Sequence, residues 1–134
     1  MTIRAVADTH AALWYLYDDA RLSAAAGAFM DAADAAGDQI AISSIALAEV
    51  VYLIEKRRID VAAFDRVLAA LNRPAATLIE IPLDRTIVQT MREVERSEVP
   101  ELPDRIVAAT ALHLGVPAIS RDRKIRASVV ATIW

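Results

Sequence analysis

Four acidic side chains stand at positions where folding alone has little use for a charge. Two of them follow short apolar runs, one interrupts a longer apolar stretch, and one lies at the start of a helical pattern. In chain order they are Asp8, Glu49, Asp104 and Asp122. Carboxylate oxygens are the ligands that hard divalent cations prefer. Together, the four acids form a candidate metal site.

Each acid taken alone also has a simpler explanation. Asp8 and Asp104 stand where an aspartate stabilises the first turn of a helix, and Asp122 is a common turn residue. Glu49 is harder to explain, because a carboxylate on a mostly apolar helix face is costly unless it is paired. Alternatively, Glu49 and Lys56 lie together on a narrow solvent-exposed stripe of the same helix. The joint pattern is therefore more informative than any one residue.

The elements that must position these acids alternate between strand and helix. Apolar runs at Ile3–Ala7, Gln39–Ser43 and residues 77–81, 117–120 and 129–133 predict five strands. Such alternation is typical of an α/β fold, with a mostly parallel sheet covered by helices on both faces.

Parallel strands end at a common edge of the sheet, so we expect the four acids to meet there. Close carboxylates repel by roughly 3 kcal/mol per pair at an effective dielectric near 20, which bound cations would offset.

Capping residues and helix-ending residues mark the predicted helices. These helices are residues 24–36 after Ser23, residues 61–72 after Asp60, residues 85–95 after Asp84, and a helix opened by Pro103 or Asp104 that ends at Gly115.

The composition limits the possible classes of protein. A chain of 134 residues with 56% apolar residues fits one domain, residues 1–134, and the longest apolar stretch is too short and too charged to cross a membrane. Without cysteine, and with two distant histidines, any metal must be bound mainly by oxygen, as Mg²⁺ or Mn²⁺ is. We expect a cytoplasmic protein, because the N-terminus lacks a signal-peptide pattern. The net charge of −3 does not by itself suggest nucleic acid as a partner.

Four motifs, in order along nearly the whole chain, resemble those of the PIN-domain ribonucleases, and most closely the VapC-type toxins of bacterial toxin–antitoxin pairs. The motifs are Val-Ala-Asp-Thr-His-Ala-Ala-Leu-Trp at residues 6–14, Ser-Ser-Ile-Ala-Leu-Ala-Glu at 43–49, Pro-Asp-Arg-Ile-Val-Ala-Ala-Thr-Ala at 103–111, and Ile-Ser-Arg-Asp-Arg-Lys-Ile at 119–125.

The resemblance implies a three-layer α/β/α sandwich and a metal-dependent endoribonuclease. Asp8 and Asp104 would be the principal ligands of one or two Mg²⁺ or Mn²⁺ ions, and Glu49 and Asp122 would complete the acidic pocket. Ser120 would orient a water or a phosphate oxygen. Hydrolysis with water as the nucleophile would leave a 5′-phosphate and a 3′-hydroxyl.

The resemblance also implies an RNA substrate, a VapB-like antitoxin and a homodimer, which becomes a heterotetramer or larger with the antitoxin. Candidate contacts to the RNA backbone are the cations near the acids in sequence: Arg105, Arg121, Arg123, Lys124 and Arg126. Large apolar residues that could either form a partner groove or pack inside are Trp14, Tyr15, Leu16, Tyr17, Phe29 and Met30.

Two other functions remain open from the residues. A Mg²⁺-dependent phosphatase or phosphotransfer domain also uses strand-end aspartates. However, the dehalogenase-type enzymes need a second Asp where this chain has His10, and only Lys124 could supply the lysine. The other alternative is a non-catalytic interaction module on the same fold, although retention of all four acids argues against it.

Overall fold

The computed structural model describes residues 2–134. The strands are β1 (Ile3–Ala7), β2 (Gln39–Ser43), β3 (Leu78–Ile81), β4 (Ala118–Ile119) and β5 (Thr132–Ile133). The helices are α1 (Thr9–Leu16), α2 (Ala24–Ala35), α3 (Ser44–Glu55), α4 (Ala63–Asn72), α5 (Arg85–Met91), α6 (Leu102–Leu114) and α7 (Arg123–Arg126). None of these helices combines the length and apolar character needed to cross a membrane.

The five strands form one parallel sheet in the order β3-β2-β1-β4-β5. The chain moves outward from β1 in one direction through β2 and β3, and in the other through β4 and β5. This reversal lies between β1 and β4, where Ala7 pairs with Ile119. In open parallel sheets, ligands bind at the carboxyl end of such a switch point.

Helices cover both faces of the sheet, as predicted. The side chains of β1 alternate between two buried clusters, with Ala5 and Ala7 in one and Val6 in the other. The first cluster includes Leu13 of α1, Met30 of α2, Val50 of α3 and Val67 of α4. The second includes Ile87 of α5, Val107 of α6 and Ile125 of α7. The sheet is therefore the middle layer of an α/β/α sandwich.

Several predicted boundaries differ from the structure. Helix α5 ends at Met91 rather than at residue 95, because the backbone there changes to hydrogen bonds between residues three apart: Glu93 N donates to Thr90 O and Val94 N to Met91 O. Asp60 does not cap α4: its side chain accepts from Ala62 N at 3.3 Å, in a turn before the helix starts. Strands β3, β4 and β5 are shorter than their apolar runs.

Other boundaries agree with the prediction. Ser23 caps α2 and Asp84 caps α5, each by accepting a hydrogen bond from the backbone amide three residues on. Helix α6 begins at Leu102 with Pro103 in its first turn, and Gly115 ends it with a φ of +69°. These caps fix where the site-bearing helices begin and end.

Candidate active site and metal centre

Asp8 lies at the junction of β1 and α1 and is held by three local interactions. Its backbone N–H donates to Ile119 O at 3.0 Å, which ties it to β4. Its Oδ1 accepts from Ala11 N at 2.8 Å, so it is the N-cap of α1. The Ser120 hydroxyl also donates to its carboxylate. Asp8 therefore has a capping role and faces the switch point at the same time.

Glu49, in the middle of α3, is tied to the segment that carries Asp8. Thr9 Oγ1 donates to Glu49 Oε1 at 2.6 Å, and Thr9 is buried. Lys56 is exposed and does not pair with Glu49: its ammonium lies 4.5 Å from the centre of the Tyr52 ring. Glu49 thus points to the carboxyl edge of the sheet rather than to a lysine.

Asp122 and Ser120 form the turn between β4 and α7. Ser120 is fully buried, and its Oγ accepts from Asp122 N at 3.0 Å. Asp122 Oδ1 in turn accepts from Lys124 N at 2.8 Å and from Ile125 N at 3.1 Å. Because Ser120 contacts both Asp8 and the backbone of Asp122, it joins the two strand-end acids.

All four predicted acids line one open cleft of about 370 Å³ at the carboxyl edge of the sheet. Asp104 enters it from the first turn of α6. The other lining residues are Thr9, His10, Trp14, Glu101, Pro103 and Arg121. Four segments that are distant in sequence therefore bring their carboxylates to one place.

The carboxylates that line the cleft lie near one another and repel. Burial, and then the neighbouring carboxylates, raise the pKa of Asp104 to about 6. Those neighbours, in order of effect, are Asp122, Glu49, Asp8 and Glu101. Burial also raises the pKa of Asp8, although the hydrogen bonds from Ser120 and Ala11 N and the nearby His10 act in the opposite direction. The neighbouring carboxylates thus make ionisation of Asp104 more costly.

None of the four acids has a salt-bridge partner in the part of the chain described. The side-chain ion pairs there are Arg4–Asp38 and Arg21–Asp19, both outside the cleft. Within residues 2–134, no three Asp, Glu or His side chains lie close enough together to form an ion-binding group. The chemistry of the donor set nevertheless fits a hard divalent cation, because it consists of carboxylate oxygens without a salt-bridge partner.

The predicted cations are placed unequally. Arg121 lines the cleft, and its guanidinium lies 4.7 Å from the centre of the Trp14 ring. Arg123, Lys124 and Arg126 are exposed on α7 and do not line it. Arg105 has a structural contact instead: its Nε donates to Val94 O and its Nη2 to Met91 O, both at 2.9 Å. The guanidinium of Arg105 therefore stabilises the end of α5.

Five residues that line the cleft are not among the site residues predicted from the sequence: Thr9, His10, Trp14, Glu101 and Pro103. Thr9 was not a candidate, and no sequence pattern links it to Glu49, 40 residues away. Trp14 was considered only for a partner groove or the core, yet it is 6% exposed and lies on the cleft wall. Glu101 also lines the cleft, and its position three residues before Asp104 could have suggested this.

Comparison with known proteins gives a consistent result. A family model described as PIN domain matches residues 5–128. Ribonuclease VapC22 of Mycobacterium tuberculosis is 29% identical over 119 residues, which cover 89% of this chain and 87% of that protein.

Two solved structures share the fold. A chain of a toxin–antitoxin complex from Klebsiella pneumoniae has a TM-score of 0.65 and 26% identity, covering 97% of this chain and 96% of that one. A chain of VapBC2 from Rickettsia felis, bound to a DNA fragment from its promoter, has a TM-score of 0.67 and 17% identity, covering 92% of each chain. The family model matches most of the length of this chain, which shows that the chain belongs to the PIN domain family.

Proposed function

We propose that this protein is a metal-dependent endoribonuclease of the VapC type, the toxin of a toxin–antitoxin pair. One observation carries the proposal: four carboxylates from four separate segments line one cleft at the switch point of the sheet, with no protein cation among residues 2–134 paired to them. Likeness to Ribonuclease VapC22 supports the choice of RNA as the substrate. We place this activity in the cytoplasm, where its RNA substrate would be.

The four acids have distinct proposed roles. Asp8 and Asp104 would bind one or two Mg²⁺ ions, with Mn²⁺ as a substitute, while Glu49 and Asp122 would complete the pocket. A divalent cation supplies Lewis acidity that activates water and neutralises charge on the scissile phosphate. One of the carboxylates of the cleft would accept the proton that this water loses. Water as the nucleophile would leave a 5′-phosphate and a 3′-hydroxyl.

Other residues would position these groups or the RNA. Ser120 donates to Asp8, so we assign it to holding that carboxylate rather than to direct contact with a phosphate. Arg121 is the cation best placed for a phosphate, because it lines the cleft beside Trp14. Arg123 and Lys124 would contact the RNA backbone farther out. Arg105, predicted as an RNA contact, has a structural role instead, since its guanidinium donates to two backbone carbonyls.

The proposed partners are a VapB-like antitoxin and a second copy of the chain, assembling into a heterotetramer or larger. Likeness to a chain of a toxin–antitoxin complex, over nearly the full length of both chains, supports the antitoxin. For the homodimer, helix α3 offers Val51 and Tyr52, which are 40% and 57% exposed. Exposed large apolar residues on one helix are typical of a subunit contact.

The decisive experiment is cleavage of an end-labelled mixed RNA pool by antitoxin-free protein with Mn²⁺ or with EDTA. An Asp8→Asn variant should lose activity by about 10²-fold or more, because one metal ligand is weakened. The matched control is Asp84→Asn, since Asp84 caps α5 as Asp8 caps α1 but lies outside the cleft. Asparagine caps helices about as well as aspartate, so both variants should fold.

The outcomes separate the remaining alternatives. Metal-dependent cuts that are lost in Asp8→Asn and kept in Asp84→Asn would establish the nuclease. If no metal supports cleavage and none raises the melting temperature, the protein is a non-catalytic interaction module on the PIN fold. The phosphotransfer alternative loses support because Lys124, its one available lysine, does not line the cleft.

A further inference from the structure

The ring of Trp14 is held firmly in the wall of the cleft. Trp14 lies in α1, the helix that Asp8 caps, and is 6% exposed. The centre of its ring lies 5.9 Å from that of Trp134, which follows β5, and 5.5 Å from that of His10. A large side chain packed in this way has little freedom to rotate. Helix α1 therefore holds this ring and Asp8 in a fixed arrangement.

Arg121 lies against this ring although acids line the same cleft. Its guanidinium carbon Cζ is 4.7 Å from the ring centre, and five acidic residues line the cleft with it. Arg121 is exposed, so its side chain has room to turn toward them. Among residues 2–134 it nevertheless forms no ion pair. The ring of Trp14, rather than a carboxylate, is thus its partner.

The ring can compete with the acids for this cation. An exposed guanidinium gains about as much free energy from the face of a tryptophan as from one exposed carboxylate. The two contacts differ in what they leave for a ligand. An ion pair would neutralise both groups, whereas a guanidinium held by a ring keeps its charge and its N–H donors for a phosphate. Contact with Trp14 therefore leaves both the arginine and the acids available.

A second arginine at the same ring shows the other arrangement. Arg21 Cζ is 5.1 Å from the centre of the Trp14 ring, but its Nη2 donates to Asp19 Oδ2 at 2.8 Å and its Nε to Asp19 Oδ1 at 3.1 Å. The charge of Arg21 is therefore compensated outside the cleft. Of these two cations, only Arg121 lines the cleft and is without an ion-pair partner among residues 2–134.

We propose that Trp14 is a positioning residue for Arg121. Its ring holds the guanidinium at the cleft and keeps it from pairing with the acids, which leaves the carboxylates for a divalent cation and the arginine for a phosphate of the RNA. This inference rests on the ribonuclease function proposed above. It assigns Trp14 no contact with the substrate, since the ring is almost entirely buried.

The test is a double-mutant cycle between Trp14→Leu and Arg121→Gln, with Trp14→Phe as the conservative variant. Leucine and phenylalanine both leave space in the packing, but only phenylalanine keeps a ring for the guanidinium. Initial rates of RNA cleavage give KM and kcat, and titration calorimetry without RNA gives the Mn²⁺ affinity. The control is Phe64→Leu, which also removes a ring packed against the core but lies outside the cleft. Melting temperatures are measured for every variant.

We expect Trp14→Leu to raise KM by roughly 3- to 10-fold, as loss of one phosphate contact would. It should also weaken Mn²⁺ binding by about 2- to 5-fold, because the freed arginine pairs with the acids. In an Arg121→Gln background, Trp14→Leu should change KM and the Mn²⁺ affinity by less than about twofold, since no arginine remains to be positioned. Trp14→Phe should keep both within about twofold of wild type, because its ring still attracts the guanidinium.

Equal losses from Trp14→Leu with and without Arg121 would overturn the proposal and make Trp14 a packing residue only. If Trp14→Leu does not fold, NMR of the arginine Nε–H groups in wild-type protein decides. The Arg121 resonance is assigned by its loss in Arg121→Gln. A ring-current shift upfield of the exposed arginines of α7 would support the contact, and an unshifted resonance would overturn it.

The two proposals fail in different ways. Wild-type protein that cleaves RNA while the two substitutions act additively would retain the nuclease and lose the role of Trp14. Wild-type protein that does not cleave RNA but shows the coupled change in Mn²⁺ affinity would lose the nuclease and retain that role.

Discussion

Thr9 Oγ1 donates a 2.6 Å hydrogen bond to Glu49 Oε1, joining the start of α1 to the middle of α3. Thr9 is only 3% exposed, so packing holds its side chain in place. The bond occupies one carboxylate oxygen and leaves the other free. We infer that Thr9 is a positioning residue, which fixes the direction in which Glu49 faces the cleft.

Replacing Thr9 tests this role. Thr9→Val keeps the shape but removes the donor, and we expect Mn²⁺ affinity or kcat to fall by about 10- to 100-fold, as for other residues that orient metal ligands. Thr9→Ser keeps the hydroxyl donor, so it should retain most of the Mn²⁺ affinity and most of kcat. Mn²⁺ affinity is measured by titration calorimetry, beside RNA cleavage kinetics.

A matched control is Thr110→Val. Thr110 is equally buried, but its hydroxyl donates to Ile106 O within α6. Mn²⁺ binding should be unchanged in this variant. If both valine variants weaken Mn²⁺ binding equally, the effect is one of packing and Thr9 has no special role.

The crowded acids predict an unusual dependence of stability on pH in metal-free protein. The pKa of Asp104 is raised to about 6, above its value in the unfolded chain, so the folded state holds the proton more tightly. The stabilising effect of this proton is fully present below the unfolded pKa near 4 and is lost as pH rises to about 6. Burial raises the pKa of Asp8 and acts in the same direction.

This dependence is measured by thermal unfolding in EDTA between pH 4.5 and 7.5. Asp104→Asn should flatten the fall in melting temperature that wild type shows as pH rises, because asparagine does not ionise. Mn²⁺ added at pH 7 should raise the melting temperature of wild type far more than that of the variant. A wild-type curve parallel to that of Asp104→Asn would show that the carboxylates are not coupled.

Arg121 is expected to act on substrate binding rather than on chemistry. Its guanidinium lines the cleft and is held over Trp14, so Arg121→Gln should raise KM by roughly 3- to 10-fold and reduce the salt dependence of binding by about one phosphate contact. Arg73→Gln is the control, since Arg73 is exposed at the end of α4 and does not line the cleft. Initial rates over a range of RNA concentrations separate KM from kcat. A drop in kcat alone would place Arg121 in the chemical step.

Alanine substitutions at two glycines should change the free energy of unfolding in opposite directions. Gly115 ends α6 with a φ of +69°, a backbone conformation that is strained for alanine even though there is space for its Cβ. Gly115→Ala should therefore lower the free energy of unfolding by about 1 kcal/mol. Gly27 lies inside α2, where an added Cβ would meet Leu22 Cδ2 at 3.7 Å, an ordinary contact. Gly27→Ala should therefore stabilise by about 0.5 to 1 kcal/mol. Urea unfolding measures both, and a destabilised Gly27→Ala would mean that Leu22 cannot adapt.

The sequence determined those features that depend on near neighbours along the chain. Apolar runs located all five strands, because strands buried on both faces must be apolar throughout. Ser23 and Asp84 marked helix starts, and Gly115 marked a helix end, because capping involves residues within one turn. The order of strands and helices then predicted that Asp8, Glu49, Asp104 and Asp122 would meet at one edge, and they line one cleft.

Only the tertiary structure decided which polar groups serve the cleft and which serve the fold. Arg105 and Arg121 look alike in sequence, each beside one of the acids, yet one is bonded to carbonyls at the end of α5 and the other lines the cleft. The bond from Thr9 to Glu49 likewise depends on how α1 and α3 pack. A side-chain hydrogen bond is directional and acts over about 3 Å. Its partner is therefore set by packing between distant segments, which local sequence patterns do not encode.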